Sequence, residues 1–246
     1  MRRIYVIAAL LSLLLLSSLT VFAQTQSRED LLRQIEAKRA ELNALEKVFL
    51  SPSEEDRNAY AAFLRTPDTG LIRILPRETY DDNANKDRQR IVTRGGGAYY
   101  SFTRLTHEYG YGSDIELYNG QLTTGFAGLD YGLLTNIGDV PLETVNLETP
   151  AATVFAAYNP ASEEPKIRLE QRRFQMGTDV QGISASRTVP MKLNSTYVVR
   201  SISYRESDVL VAFRVVRIDS DRSAIILWKL LKKFPAPQVA RANDMN

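Results

Sequence analysis

The residues with the most obvious chemical potential lie between Arg94 and Glu143. This stretch holds ten of the chain's thirteen glycines, six of its twelve tyrosines and its only histidine, His107. Glycine allows positive φ and close backbone approach, so this density is typical of tight turns, bulges or a ligand-facing surface. Tyrosine combines a flat apolar ring with a polar tip, which suits stacking on sugar rings. We therefore predict that any binding site lies in this stretch.

Tyrosines and aspartates of this stretch are the residues predicted to face a ligand. The candidates are Tyr99, Tyr109, Tyr111, Asp114, Tyr131 and Asp139. Gly110 and Gly112 flank two of these tyrosines and predict an irregular backbone that reaches the surface. The alternative remains open that the tyrosines pack within half-buried sheets, where tyrosine is common.

Sequence motifs for catalysis are absent: the chain has no GxSxG, no HExxH, no P-loop and no GxGxxG after a strand. His107 would be the only base for a catalytic triad, but its neighbour Glu108 would point to the opposite face of an extended run. We expect His107 to have an ordinary hydrogen-bonded or exposed role. We predict no catalytic residue, no metal site and no cofactor.

Acids of the same stretch leave two alternatives open. Two of them could flank a cleft, as in a carboxylate-dependent glycoside hydrolase, and aspartates with loop carbonyls could hold calcium. However, no spacing singles out a pair, and the EF-hand loop pattern is missing. The acids concerned are Asp114, Glu116, Asp130, Asp139 and Glu143.

The start of the chain has the form of a secretory signal peptide, predicted to be residues 1–23. A basic Met1-Arg2-Arg3 precedes a leucine-rich run, and Val21-Phe22-Ala23 offers small residues for cleavage before Gln24. We expect an exported protein, periplasmic or extracellular, that meets a membrane only if this leader is retained as an anchor. The chain has no cysteine, which excludes disulfides and favours a bacterial source.

The charge is unevenly distributed after the predicted cleavage site. Residues 24–165 carry 14 basic and 22 acidic side chains, whereas residues 166–246 carry 15 basic and 7 acidic ones. One interpretation is that the two parts complement each other within the fold. The other is that the C-terminal part meets an anionic partner such as a lipid surface or a polysaccharide. Export argues against nucleic acid.

Residues 24–66 are predicted to form a helical segment of two helices. Ser27 is the expected N-cap of the first, which repeats apolar residues at heptad spacing, although Lys38 interrupts the series. The helix over residues 27–50 would lie on the main domain, on a second copy or on a protein partner. For the second helix we expect Ser51 as N-cap and Pro52 at the first helical position.

Residues 67–235 are predicted to form a β domain, followed by a tail at 236–246. The strongest signal is a hairpin, Ile115–Tyr118 and Gln121–Thr124, with a type I′ turn at Asn119-Gly120. A meander is expected at the end, and its middle strand should be central because it is apolar on both faces. The predicted strands are Leu71–Leu75, Ala98–Leu105, one within Gly125–Gly138, Thr153–Tyr158, Lys166–Met176, Thr196–Tyr204, Asp208–Ile218 and Ser223–Phe234.

The sequence thus predicts a mainly β fold, an antiparallel sandwich or open barrel with an N-terminal helical pair, α+β overall. For function it favours an exported, non-catalytic binding module that recognises carbohydrate or another envelope component through a surface rich in tyrosine, glycine and aspartate. The alternative from another class is an envelope scaffold that binds a protein partner through residues 27–50.

Overall fold

The computed structural model describes residues 27–80, 97–107, 109–110, 112–126 and 128–240. The chain divides into two compact units, residues 1–45 and 46–246. The predicted signal peptide and the candidate Tyr111 lie outside the described residues. Within the described ranges, no helix is both long enough and apolar enough to cross a membrane.

Helix α1, Arg28–Phe49, begins as the sequence predicts. The backbone N–H of Asp30 donates to Ser27 Oγ at 3.1 Å, and the Ser27 hydroxyl donates to Asp30 Oδ2 at 2.7 Å. No residue of this helix is buried. Its exposed large apolar side chains are Leu31, Leu32, Ile35, Leu42, Leu45, Val48 and Phe49.

The predicted N-cap of the second helix was wrong by two residues. Helix α2, Glu54–Ala59, is capped by Ser53, which forms a capping box with Asp56. Ser51 instead donates its hydroxyl to the carbonyl of Lys47, at the end of α1. At Ser53 both halves of the capping box form, because Ser53 Oγ accepts from the Asp56 amide and the Asp56 carboxylate accepts from the Ser53 amide. Two short helices follow, α3 (Ala61–Leu64) and α4 (Arg77–Tyr80).

The main sheet has five antiparallel strands in the order β1-β11-β10-β9-β5. The C-terminal meander is confirmed, and its middle strand, β10, is central as predicted. Strand bounds are β1 Thr69–Ile74, β5 Tyr131–Gly138, β9 Thr196–Ser203, β10 Ser207–Ile218 and β11 Ala224–Phe234.

A second antiparallel sheet has the order β2-β3-β4-β8, and β6 and β7 form a separate pair. The predicted hairpin is confirmed as β3 and β4, and Asn119 (φ 49°) and Gly120 (φ 70°) have the positive φ values that a type I′ turn requires. Bounds are β2 Tyr99–Tyr100, β3 Ile115–Tyr118, β4 Gln121–Thr123, β6 Thr178–Val180, β7 Ile183–Ala185 and β8 Thr188–Pro190.

Three predicted strands were wrong in whole or in part. The strand predicted over Ala98–Leu105 ends at Tyr100, because Ser101 pairs with Thr106 and its hydroxyl accepts from the Arg104 amide to close a turn. The other two segments are helices, described next.

Helices α5, Pro150–Ala157, and α6, Glu164–Met176, replace strands predicted at Thr153–Tyr158 and Lys166–Met176. Each has proline in its first turn, where the missing N–H has no cost. In α6 the two fully buried residues, Ile167 and Phe174, are seven apart, which is a helical period. A short 3₁₀ helix at Leu142–Thr144 precedes α5.

The five-stranded sheet is buried on both faces, which produces two cores. One core lies between the two larger sheets and contains Val209, Val211 and Phe213; the other lies under α5 and α6 and contains Leu210 and Ala212. Successive side chains of β10 therefore point alternately into the two cores. The predicted α+β fold with N-terminal helices and antiparallel sheets is confirmed. Among the described residues, the sheets do not close into a barrel.

The last described residues of the predicted tail lie against the main unit. Arg205 N–H donates to the carbonyl of Pro237 at 3.0 Å, and Ala240 N–H donates to that of Ser162 at 2.8 Å. Val239 packs against the core under the helices.

Candidate functional site

The candidate residues named from the sequence do not share one surface. Tyr99, Asp114 and Tyr131 are buried, Tyr109 is partly buried, and Asp139 is exposed, with Tyr111 outside the described residues. Asp139 forms a surface ion pair with Arg214 at 2.6 Å.

Tyr99 lies at the centre of a small aromatic cluster that reaches the surface. Its hydroxyl donates to Glu116 Oε1 at 2.7 Å, and burial together with this carboxylate raises the pKa of Tyr99 far above its usual range. Arg77 donates to the same carboxylate at 2.9 Å. The ring of Tyr99 meets Tyr109 and Phe126 edge-on, with centroids 4.9 and 5.1 Å away. Tyr109 and Phe126 are partly exposed and could contact a ligand.

Asp114 is fully enclosed and has an unusual environment for a carboxyl group. Its Oδ2 accepts from the Phe102 amide at 2.7 Å, whereas Oδ1 has no hydrogen-bond partner among the described residues. Burial raises the pKa of Asp114 to about 7, although hydrogen bonds from Ser201 and Phe102 oppose the rise. A group with no exposed surface cannot flank an open cleft, so this geometry does not suit glycoside hydrolysis.

Asp130 is a second buried carboxyl group. Ser203 Oγ and the Tyr204 amide donate to its two oxygens, each at 3.1 Å, and burial raises its pKa to about 6. Its charge also contributes to the raised pKa of Asp114. Near neutral pH these two groups therefore lie close to their protonation midpoints.

A cavity of about 230 Å³ opens between the loop before β5 and helix α6. The loop follows a tight path: Gly125 has φ 70°, and a Cβ there would lie 2.4 Å from the Tyr131 Cα. Only glycine fits at this position. We call this cavity the arginine pocket. It is lined by Gly125, Phe126, Gly128, Asp130, Tyr131, Arg168, Gln171, Arg172, Phe174, Gln175 and Arg187.

Helix α6 contributes one face to the arginine pocket. Arg168, Gln171, Arg172 and Gln175 follow the i, i+3, i+4, i+7 spacing that places side chains on one side of a helix. Phe174 lies beneath them and stacks on Tyr131 with centroids 5.8 Å apart and planes at 11°. The pocket therefore has an aromatic floor and a polar, cationic wall.

Hydrogen bonds hold the loop to the helix. Gln171 Nε2 donates to the carbonyls of Gly128 at 3.2 Å and Asp130 at 3.0 Å, and Arg168 donates to that of Gly128 at 3.0 Å. Arg187 links α6 to the residue before the loop: its backbone N–H donates to the Phe174 carbonyl at 2.7 Å, and its Nε donates to the Thr124 carbonyl at 3.2 Å. These bonds preorganise the wall, which lowers the entropic penalty of ligand binding.

The electrostatic balance of the pocket is positive. Three arginines line it against one acid, Asp130, whose oxygens already accept from Ser203 and Tyr204. Arg168 is 3.4 Å from Glu164 on the helix surface. Arg172 and Arg187 form no ion pair with any residue that the structure describes. Their guanidinium groups are therefore available to an anion.

A larger cavity, about 470 Å³, lies beside the exposed side of β5. Its described lining includes one charged residue, Lys192, and no aromatic ring. It offers fewer groups that could orient a ligand than the arginine pocket does.

His107 has the hydrogen-bonded role expected from the sequence. Its Nε2 lies 2.7 Å from the Arg73 carbonyl, and its ring meets Tyr100 edge-on. Burial lowers the pKa of His107. Across the described ranges, no group of three or more histidines and acids is arranged to hold a metal ion.

The sequence did not identify the arginines of the pocket. Arg168 and Arg172 lie in a segment that was interpreted as a strand, so their helical spacing was not recognised as one face of a helix. That spacing, together with Pro165, was the available signal. Comparisons of the chain with protein-family models, curated proteins and solved structures find no match.

Proposed function

We propose that the chain is an exported, non-catalytic binding module of the cell envelope and that the arginine pocket holds its ligand, a saccharide. The observation that carries this proposal is the pocket itself. It combines a loop whose Gly128 and Asp130 carbonyls bond to α6, an aromatic floor and polar donors in one concave site.

The chemistry of the lining supports a saccharide. Sugars offer apolar ring faces and many hydroxyls, which match aromatic rings and planar amides respectively. Phe126 supplies a partly exposed ring, and Gln175 supplies an exposed amide. The Gln171 amide holds the loop to α6, and Tyr131 lies buried in the floor. The volume of about 230 Å³ is below the range of about 300–1,000 Å³ for drug-sized ligands, which fits one sugar unit with the rest of a chain outside.

The predicted leader supports the envelope as the place where this ligand is met. A protein that leaves the cytoplasm encounters wall and surface polysaccharides, and nucleic acid is not an expected partner. The aromatic cluster extends the proposed surface, because Phe126 at the rim contacts Tyr99, which contacts Tyr109. Of the residues named from the sequence, Tyr109 and Tyr131 are the two that this proposal retains.

A second function, an envelope scaffold that acts through α1, is favoured by one observation. The seven large apolar side chains of this helix are exposed. In this alternative a protein partner covers them, and the arginine pocket has no ligand. Opposite charges are equally numerous along α1, five basic and five acidic, so an anionic lipid surface is not favoured.

Blocking the pocket tests the first function. Gln175 is exposed on α6 at the pocket mouth, so Gln175→Trp should fill the entrance without disturbing the core. The matched control is Leu169→Trp, on the same helix, exposed and outside the lining. Binding to immobilised envelope polysaccharides is measured for the parent and both variants.

We expect the parent and Leu169→Trp to bind alike and Gln175→Trp to bind at least tenfold more weakly. Equal binding by all three proteins would place the ligand elsewhere. The scaffold function replaces this one under two conditions. The parent must bind none of the polysaccharides and must bind a partner protein instead, and alanine substitutions at the exposed apolar residues of α1 must abolish that binding.

A further inference from the structure

Nine of the fourteen described arginines in residues 46–246 are paired with a carboxylate, and the five that are not differ in their exposure. Nine described arginines after residue 46 lie within 4.0 Å of a carboxylate: Arg73, Arg77, Arg104, Arg168, Arg173, Arg200, Arg214, Arg217 and Arg222. Of the described arginines in this unit that lack one, Arg57, Arg65, Arg172 and Arg205 are exposed. Arg187 alone among them is partly buried.

Arg187 is therefore a partly desolvated cation without a carboxylate partner in the described structure. Its Nε donates to the Thr124 carbonyl at 3.2 Å, and the same side chain lines the arginine pocket. Removing a charge from water is costly unless an opposite charge or several hydrogen bonds compensate for it. A ligand anion in the pocket would supply that compensation.

Asp130 does not compensate for the charge of Arg187. It lines the same pocket, but both of its oxygens accept hydrogen bonds from the turn between β9 and β10. Arg172 adds a second guanidinium from the α6 wall, exposed and unpaired among the described residues. Two arginines that line one small cavity form an arrangement suited to an oxyanion, since guanidinium groups match its planar edges in pairs of hydrogen bonds.

We propose that the arginine pocket selects an acidic saccharide and that the acidic group of the sugar lies between Arg172 and Arg187. This inference rests on the proposed function, and it specifies the class of ligand. The exposed Gln175 amide and the partly exposed ring of Phe126 contact the hydroxyls and the ring of the sugar. The excess of basic residues over residues 166–246, 15 against 7, also favours an acidic ligand.

The test compares ligands that differ only in charge. Oligosaccharides of hexuronic acids from pectin and alginate are titrated into the protein by calorimetry, beside the same oligosaccharides after their carboxyl groups have been reduced to alcohols. Inorganic sulfate is a third probe, because an oxyanion site could accept a free ion as well as a sugar.

We expect an acidic oligosaccharide to bind at least tenfold more tightly than its reduced form and to weaken as salt rises. Sulfate should bind far more weakly and compete. Arg187→Lys keeps the charge but loses the planar fork, and it should weaken acidic binding at least tenfold. Arg172→Ala should do the same, whereas Arg65→Ala, which removes an exposed arginine outside the pocket, should change nothing.

Each outcome separates the two claims. Equal affinity for acidic and reduced sugars overturns the inference and leaves a saccharide module. Binding of sulfate without binding of any sugar overturns both, and so does the absence of all binding. Thermal melts show which variants are folded. If Arg187→Lys is unfolded, Arg172→Ala still tests the inference, because Arg172 is exposed and its substitution should not disturb folding.

Discussion

Asp208→Ala should be among the most destabilising single substitutions in the chain. Asp208 and Arg200 are each only 2% exposed, and their side chains form two parallel hydrogen bonds of 2.9 and 2.8 Å. Arg200 also donates to the Phe155 carbonyl at 2.7 Å, near the end of α5, and its guanidinium lies 3.8 Å from the centroid of Phe234. The pair thus links strands β9 and β10 to helix α5 and to the end of strand β11.

The magnitude follows from what remains after the carboxylate is removed. Arg200 would keep its charge and its bond to Phe155, but two N–H donors would have no partner in the core. Breaking a buried ion pair from one side costs about 3–5 kcal/mol. With a urea m value of about 2 kcal/mol per M, the unfolding midpoint should fall by about 2 M.

Urea denaturation followed by fluorescence of the single tryptophan, Trp228, measures this change. The matched control is Asp139→Ala, which removes the carboxylate of an ion pair that is 76% exposed on the acidic side. Such pairs contribute about 0–1 kcal/mol, so its midpoint should move by less than about 0.5 M. Equal midpoints for the two variants would refute the assignment of Arg200 and Asp208 as the main buried ion pair.

Three further predictions concern other parts of the chain. Because burial raises the pKa of Asp114 to about 7 and that of Asp130 to about 6, both above 3.8, the stability they contribute is complete below about pH 4 and is lost as the pH rises to about 7. The urea midpoint of the parent should therefore fall relative to that of Asp114→Asn between pH 5 and pH 8, and a constant difference would contradict this. Gly120→Val should cost about 1–3 kcal/mol in thermal unfolding through its positive φ alone, since no atom lies within 4 Å of the added Cβ, and Gly120→Asn should cost much less. Tyr109→Ala should lower the free energy of unfolding by about 1 kcal/mol and Tyr131→Ala by about 3–5 kcal/mol in denaturant titrations, and similar losses would mean that Tyr109 belongs to the core.

Local signals in the sequence were sufficient for the hairpin and the meander. Asn119-Gly120 specifies its turn through two positive φ values, and strand β10 shows its central position by apolar residues on both faces. Both features depend on patterns within about a dozen neighbouring residues, so they can be predicted without knowing which distant segments pack against them.

The sequence did not predict helices α5 and α6, because a short apolar run fits the period of a strand as well as that of a helix. Thr153, Val154 and Phe155 favour strands by propensity, yet Pro150 starts a helix that packs on the sheet. Tertiary packing overrides propensity in such cases. The arginine pocket went unseen for the same reason, since one of its walls is α6.

Burial of the predicted site residues could not be read from local pattern either. Tyr99 and Asp114 are enclosed because β2 and β3 pack over the main sheet, a contact between segments about 100 residues apart. The glycine stretch was correctly singled out as an irregular backbone, and part of it does form a pocket wall. Which of its side chains face solvent was decided by those distant contacts.

The location of the ligand is the central claim, and a nuclear magnetic resonance titration tests it most directly. The ¹⁵N-labelled protein is titrated with the acidic oligosaccharide, and the shifts of its backbone amides are mapped. The account predicts that the largest changes fall on Gly125, Gly128 and residues 168–175 of α6, with further shifts at the Arg187 side chain. Largest changes along α1, or around Asp139, would contradict it.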